Sequence, residues 1–270
     1  MSKLFIDIGG TKLRCEQDGK IQEYFTKEKE LTAFLEMKLQ NDKTVNAISV
    51  SFAGQVDKGV ILSSPNINVK VKNIKEYFEK KYHISFKIDN DLNCALLAET
   101  KYIDEENIAL LFVGSGVGGA VLESSRVIKG EKNIACEIGH IPFKKAPFLC
   151  GCGKNNCIEI YGGGAGLAKW FEYYGYEFVK LQELKEAKDK NLQKIYDNFL
   201  EAILRAAASL VTLFNPKVLI LGGGIIKSNP FLLDIIKKDL DKFALKQSCE
   251  GLKIIASRLK NASLEGAKLL

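Results

Sequence analysis

The chain has 270 residues, 46% of them hydrophobic and 27% charged, enough to bury a sizeable core as one large domain or two modest ones. Its formal charge of +6 comes from 39 Lys and Arg against 33 Asp and Glu, and the lysines between Lys70 and Lys81 are interleaved with acids and apolar residues. No arginine-rich run or basic stripe with interleaved aromatics occurs, so nucleic acid is not an expected partner. No apolar run reaches the roughly 20 residues that span a bilayer, which argues against a membrane protein.

In chain order, Lys3–Ile8 is an apolar strand running into Asp7-Ile8-Gly9-Gly10-Thr11-Lys12. The opening MSKLFIDIGG lacks the charged head, apolar stretch and small-residue cleavage site of a signal peptide. With seven cysteines and no export signal, a cytoplasmic protein with reduced thiols is expected. Alternation over Leu13–Glu16 and Ile21–Phe25 around Asp18-Gly19 predicts a hairpin. Leu31, Phe34, Leu35 and Leu39 keep helical spacing over Glu30–Leu39, and Val45–Phe52 is a β-rich run closed by Ala53-Gly54. Val60–Leu62 reads as a short strand, Ile74–Tyr82 as a helix and Ile84–Ile88 as a strand. Asp91–Lys101 reads as a helix capped by Asn90 or Asp91. The polar break at Asp104–Asn107 marks a hinge.

Beyond the hinge the plan recurs: strand Ile108–Val113, the turn Gly114-Ser115-Gly116-Val117-Gly118-Gly119, then Ala120–Glu123 and Arg126–Lys129 as a hairpin. A long helix over Leu192–Phe214 precedes the apolar strand Val218–Leu221 and the turn Gly222-Gly223-Gly224. Asn229–Phe243 follows as a helix, Leu252–Ala256 as a strand, and Ser263–Leu269 as a last helix starting at Ser263. Strand, glycine turn and hairpin, followed by helices and strands, describe an α/β protein of two similar halves with mixed sheets under helical cover.

His140, Cys150, Cys152 and Cys157 spell H-x9-C-x-C-x4-C. Three thiolates and an imidazole are the donor set of a closed tetrahedral zinc site. A disulfide across one residue, between Cys150 and Cys152, would be strained, whereas Gly151 and Gly153 let the backbone turn both sulfurs to one centre. Four protein ligands leave no open position, so the zinc is expected to be structural, orienting His140 through one ring nitrogen and leaving the other for substrate. Cys15, Cys94, Cys136 and Cys249 lie in apolar company and read as ordinary buried thiols. Glu137 and Glu159 bracket the loop; they are either surface glutamates or, with the imidazole, acceptors suited to a polyol.

A glycine turn after a strand presents backbone N–H groups that phosphate oxygens accept from. Gly9, Gly10 and Thr11 form one such turn and Gly114, Ser115 and Gly116 another, with Lys12 available as a cation. Neither is a Walker loop, and a hairpin rather than a helix follows each. Singly they are also ordinary tight turns; paired in equivalent positions they favour a nucleotide. Asp7 at the strand end either caps its turn or faces phosphate directly or through a divalent cation. Asp91 is either a helix cap or a carboxylate kept ionised by the helix N-terminus, able to accept a hydroxyl proton, with Asn90 holding the sugar beside it.

These residues resemble the ROK family of sugar kinases and repressors: Asp7-Ile8-Gly9-Gly10-Thr11-Lys12, Asn90-Asp91-x-Asn93, Gly114-Ser115-Gly116-x-Gly118-Gly119, Glu137-x-Gly139-His140, and Cys150-Gly151-Cys152-Gly153-x3-Cys157-x-Glu159. The resemblance spans nearly the whole chain. It implies an actin-like ATPase (ribonuclease H-like) fold, two α/β domains with mixed sheets, helices on both faces and an interdomain cleft. The smaller domain would span 1–104 completed by a C-terminal helix at 259–270, and the larger would span 105–258 with the zinc loop and nucleotide site. Asp91 would be the base, with Asn66, Asn90, Glu137, His140 and Glu159 on the sugar. Gly10, Thr11 and Gly116 would line the phosphates, Gly222, Gly223 and Gly224 would lie near adenosine, and Mg²⁺ would neutralise the transferred charge.

Members resembling glucokinase transfer the ATP γ-phosphate to a hexose 6-hydroxyl and usually form dimers, so sugar, ATP and a second copy of the chain are the expected partners. Kinases for N-acetylmannosamine or fructose are close alternatives. The family's repressors carry a helix-turn-helix ahead of the Asp-Gly-Gly motif, for which Asp7 leaves no room here, so a regulator is the weaker expectation. A shape-changing actin-like or chaperone-like ATPase would lack the zinc loop and the Asn90-Asp91 pair. Three departures from the family pattern stand out: Ser115 for threonine, Val69-Lys70-Val71 where a Gly-Trp pair is common, and Asn156 for the glycine before the last cysteine. Asparagine tolerates the left-handed conformation expected at position 156.

Overall fold

A computed structural model describes residues 2–270. The chain runs β1 (Ser2–Ile8), β2 (Lys12–Gln17), β3 (Lys20–Phe25), α1 (Leu31–Asn41), β4 (Val45–Phe52), β5 (Gln55–Asp57), β6 (Val60–Ser63), α2 (Ile74–Tyr82), β7 (Ser85–Asn90) and α3 (Asp91–Thr100). It continues through β8 (Ile108–Val113), β9 (Val117–Glu123), β10 (Arg126–Val127), α4 (Ile158–Gly162), α5 (Gly164–Tyr174), α6 (Leu181–Glu186) and α7 (Lys190–Phe214). The last elements are β11 (Val218–Gly222), α8 (Gly224–Ser228), α9 (Phe231–Asp239), α10 (Lys246–Cys249), β12 (Lys253–Ala256) and α11 (Ala262–Ala267). Two compact units result. The first holds the described residues through Asp104 together with Ile128–Ala135 and Leu259–Leu270; the second holds Glu105–Val127 and Cys136–Arg258.

The first unit is built on a five-stranded sheet of order β3-β2-β1-β4-β7, with β2 antiparallel to β1 and β3, and with β4 and β7 parallel to β1. Side chains alternate across a strand. Leu4, Ile6 and Ile8 therefore share one face, where they join Ile48, Val50, Phe52, Phe34 of α1 and Phe78 of α2 in a closed apolar core. The opposite face is covered by α11, which packs on β1, β4 and α3. The second unit has a sheet of the same plan, β10-β9-β8-β11-β12, with α7 packed on β8 and β9 and α9 on β12. The doubled plan read from the glycine turns thus extends to strand order.

Most elements fall where periodicity puts them; β5, α4, α5, α6, α8 and α10 have no counterpart in that reading. Asn90, not Asp91, caps α3, its Oδ1 accepting from the Leu92 and Asn93 N–H groups. The helix expected over Asn229–Phe243 ends at Asp239 and tightens into a 3-10 turn at Leu240–Lys242. The last helix begins at Ala262 rather than Ser263. Strand β9 starts at Val117 and takes in Gly118 and Gly119, which the sequence assigned to the turn. Helix α5 opens in a glycine run that propensity disfavours; the carbonyls of Gly114 and Ser115 offset this by accepting from Gly164 and Ala165 N–H at 2.8 and 2.9 Å. Cys136 and Cys249 are half-buried, whereas Cys15 and Cys94 are buried as expected.

Helix α11 lies so close to α3 that a Cβ on Gly266 would stand 1.8 Å from the Cys94 carbonyl oxygen. Backbone cannot yield as a side-chain end can, and overpacking of this kind costs about 1–3 kcal/mol or more. Gly266→Ala should therefore lower the urea midpoint of unfolding by an amount equivalent to about 3 kcal/mol. An unchanged midpoint would show that α11 is not seated on α3.

Candidate functional site

Two buried acids of the first unit share one row. Asp7, Ser51 and Asp89 are register partners across β1, β4 and β7, 7%, 0% and 4% exposed, on the face opposite the apolar core. Arg14 of β2 stands opposite Asp7, and its Nη1 donates to Asp7 Oδ2 at 3.1 Å while Ser51 Oγ donates to Oδ1 at 3.1 Å. Burial still dominates and pushes the Asp7 carboxyl above its ordinary value, against Arg14 and Ser51.

Asp89 has more donors. Its Oδ1 accepts from the Asn90 N–H at 2.8 Å, Asn133 Nδ2 at 2.9 Å and Asn93 Nδ2 at 3.1 Å, and its Oδ2 from Lys129 Nζ at 2.5 Å. Burial works to raise this carboxyl as well, yet the hydrogen bonds from Lys129, Asn133 and Asn93 hold it below its ordinary value. Asp91 follows two residues later as the first residue of α3, half-buried. Its neighbour Asn90 spends Oδ1 on the cap and donates Nδ2 to the Gly54 carbonyl at 3.2 Å.

In the same unit the first glycine turn is closed by the Gly9 N–H donating to the Lys12 carbonyl at 2.9 Å and braced by Thr26 Oγ1 on the Gly9 carbonyl at 2.7 Å. Asn66 lies against Gly10 and Thr11 follows, so these residues are brought together. The Lys12 ammonium turns to Glu23 of β3 at 2.6 Å. The loop carrying Asn66 is pinned to α1: Glu30, the N-cap of α1, also accepts from the Lys70 N–H at 2.9 Å, and the Leu31 N–H donates to the Asn68 carbonyl at 3.0 Å.

The second unit brings together the other two turns and the metal-ligand set. Parallel pairing of β8 and β11 sets Gly222 opposite Phe112 and the Gly224 backbone beside Gly114. Gly223, with φ of 88°, makes the second turn. The ligand atoms of His140, Cys150, Cys152 and Cys157 all lie within 4.8 Å of one another. His140 Nδ1 is 3.6 Å from Cys150 Sγ, and Cys152 Sγ is 3.4 Å from Cys157 Sγ. Zinc–thiolate bonds of about 2.3 Å place tetrahedral sulfurs roughly 3.8 Å apart, so the set fits a closed S₃N site. Burial pushes the Cys150 thiol up to about 11 and raises Cys157, while Cys152, despite burial, is lowered by hydrogen bonds from Lys154 and its neighbour thiols. Three adjacent thiolates need a cation to ionise together.

The knuckle turns at Gly153, with φ of 87°, whereas Asn156 is not among the left-handed residues, so the asparagine stands there without the conformation expected of it. His140 Nε2 points to Glu137, 3.9 Å from its Oε2. Glu159 accepts from the Val117 N–H at 3.1 Å with Oε2 and from Cys150 Sγ at 3.4 Å with Oε1. Its carboxylate covers Gly116, where a Cβ would stand 2.2 Å from Oε2.

Arg14, Ser51, Asp89, Lys129 and Asn133 were not singled out from the sequence. A signal existed for Asp89: like Asp7 after Ile6, it follows an isoleucine, Ile88, at the next-to-last position of its strand. None existed for Lys129 and Asn133, which lie 40 and 44 residues from the carboxylate they serve. No helix among the described residues is long and apolar enough to cross a membrane.

Comparison with known proteins gives one consistent result. The model of the ROK family matches residues 4–270. The N-acetyl-D-glucosamine kinase of Aliivibrio salmonicida (strain LFI1238) is 32% identical over 230 residues, covering 79% of this chain and 76% of that protein. The glucokinase of Halalkalibacterium halodurans is 27% identical over 230 residues, covering 77% of this chain and 69% of that one. The crystal structure of the ROK hexokinase from Thermus thermophilus superposes with a TM-score of 0.80 at 26% identity over 100% of this chain and 97% of that one.

Two outcomes test the site. Metal analysis of purified protein should find one zinc per chain, and Cys152→Ser should retain less than about a tenth of it; full retention would remove Cys152 from the ligand set. Asp89 is held below its ordinary value, so its network stabilises the fold fully above about pH 4 and loses that contribution as the pH falls through the depressed value. The stability gap between wild type and Asp89→Asn, measured by urea unfolding, should therefore narrow from pH 7 to pH 3. A constant gap would show that the charge of Asp89 is not what the network holds.

Proposed function

The chain belongs to the ROK family, and from that premise we propose that it phosphorylates a hexose or N-acetylhexosamine hydroxyl with ATP. The 6-hydroxyl of glucose is the proposed acceptor, with N-acetylglucosamine and N-acetylmannosamine as the near alternatives. In this reading the sugar hydroxyl gives its proton to the Asp91 carboxylate as its oxygen bonds the γ-phosphorus. The bond from that phosphorus to the β,γ-bridging oxygen breaks, and ADP leaves.

The observation that carries the reading is the division of labour at the start of α3. Asn90 performs the capping that an aspartate at this point would ordinarily supply, so Asp91 is not needed as the cap. The first turn of a ten-residue helix favours its ionised form, the form a base requires. Gly9, Gly10, Thr11, Gly114, Ser115 and Gly116 would hold phosphates, with Gly222, Gly223 and Gly224 beside the nucleoside and Asp7 toward Mg²⁺. Lys12 would reach phosphate only by leaving Glu23. Asn66, Asn90, Glu137, His140 and Glu159 would take the sugar hydroxyls, Asn90 and Glu159 by exchanging the partners they now hold.

Zinc, when bound by His140, Cys150, Cys152 and Cys157, would supply structure rather than Lewis acidity, because those four ligands close the tetrahedron. His140 Nδ1 faces the sulfurs, which leaves Nε2 on the side of Glu137 for a hydroxyl.

Asp91→Asn keeps the size of the side chain and removes its basicity. It should lower kcat by about 10²–10⁴ while leaving sugar affinity, measured by calorimetry, within a few-fold. A coupled assay over a panel of hexoses and N-acetylhexosamines identifies the acceptor, and unchanged turnover of the variant would reject Asp91 as the base.

A further inference from the structure

The carboxylate of Asp89 grips the chain on both sides of Asp91. Before it, the Asn90 N–H donates to Asp89 Oδ1; after it, Asn93 Nδ2 donates to the same oxygen from the first turn of α3. Asn90 Oδ1 meanwhile holds the Leu92 and Asn93 N–H groups. Asp91 thus sits inside a closed set of hydrogen bonds centred on a residue that is 4% exposed.

Two of the donors come from far along the chain. The segment Ile128–Ala135 belongs to the first unit although the strands before it belong to the second. It is a tight loop closed by the Ala135 N–H on the Lys129 carbonyl at 3.1 Å, with Gly130 and Asn133 both left-handed. Asn133 uses both amide hydrogens, one on Asp89 Oδ1 and one on the Val56 carbonyl at 2.8 Å, and its Oδ1 accepts from Asn93 Nδ2 at 3.1 Å. Lys129, 50% exposed, brings the compensating charge to Oδ2. Each hydrogen on the two asparagine amides has an acceptor.

A buried carboxylate needs donors, but stability alone does not require that they come from both flanks of one residue. We infer that Asp89, held by Lys129 and Asn133, is a positioning residue that fixes Asp91 for proton abstraction, with the loop Ile128–Ala135 as its latch. The inference rests on the reading of Asp91 as the base. A displacement of about 1 Å at such a group can cost 10²-fold in rate, which is the scale on which a latch of this kind acts.

The test uses the full-length chain with ATP, Mg²⁺ and the best sugar of the panel. Asp89→Asn should lower kcat by about 10–100-fold and Lys129→Met by about 3–10-fold, each with the ATP KM within about twofold of wild type. Lys129 is half-exposed and outside the core, so its variant should fold even if Asp89→Asn does not, as circular dichroism and urea unfolding will report. Each substitution is then repeated on Asp91→Asn and followed by single-turnover transfer of labelled γ-phosphate. Because Asp89 acts through Asp91, neither should lower the residual rate further.

Full turnover in Lys129→Met, or the same fold-loss with and without the Asp91 carboxylate, would overturn the inference and leave the kinase reading standing. A wild-type chain inert across the panel would sink the kinase reading and the role of Asp89 with it.

Discussion

The first unit depends on a constraint set by sheet geometry: two carboxylates, Asp7 and Asp89, lie buried on one face with a single strand between them. A buried carboxylate persists only when donors replace the water it has lost. Asp7 receives one guanidinium bond and one hydroxyl, and burial prevails; Asp89 receives four donors, and the hydrogen bonds prevail. The opposite directions of their pKa shifts follow from that difference in supply, since both are nearly inaccessible. The row lies at the carboxyl ends of β1, β4 and β7. The chain leaving those ends carries Gly9 and Gly10, then Ala53 and Gly54, and, where β7 passes directly into α3, Asn90 and Asp91. In parallel sheets these are the ends at which ligands are met.

The second unit uses the same strand order for a different chemistry. Phe112 stands two residues before the turn Gly114-Ser115-Gly116, as Asp7 stands two residues before Gly9. Its partners are Gly118 and Gly222, where those of Asp7 are Arg14 and Ser51. A charged row in one sheet is thus matched by a glycine–phenylalanine–glycine row in the other. The substitution suits the parts proposed for each. Bare backbone N–H groups at the glycine turns of both units attract anionic phosphate; the acids of the first row add the metal-facing part proposed for Asp7.

What was legible in the sequence was what is local. Period-two and period-3.6 patterns and glycine punctuation located every strand but β5 and the helices α1, α2, α3, α7, α9 and α11, because each depends on residues a few positions apart. The metal-ligand set was legible for the same reason: His140 to Cys157 is one short stretch of two donor types. Helix α5 was not, since its start depends on carbonyls of a turn some fifty residues earlier rather than on its own glycines. The Asp89 network was invisible on the same grounds. Asn90 and Asn93 were in view as part of a motif, but only the folded chain brings Lys129 and Asn133 to them. Asn156 was in view and given a left-handed role that Gly153 performs.

Glu159 shows how such local readings become coupled. One oxygen accepts from Val117 at the edge of the glycine turn and the other from Cys150 of the ligand loop, so the turn and the loop share a single carboxylate. Neither can shift without lengthening one of those bonds. Burial raises two of the three thiols, and a divalent cation held by the set would offset this by supplying charge. A thiolate at Cys150 can no longer donate to Glu159, which leaves that oxygen as an acceptor for another donor while the second stays on Val117. Metal ligation by this set would therefore bear on more than the loop that performs it: through one carboxylate it would set the hydrogen-bonding capacity beside Gly116.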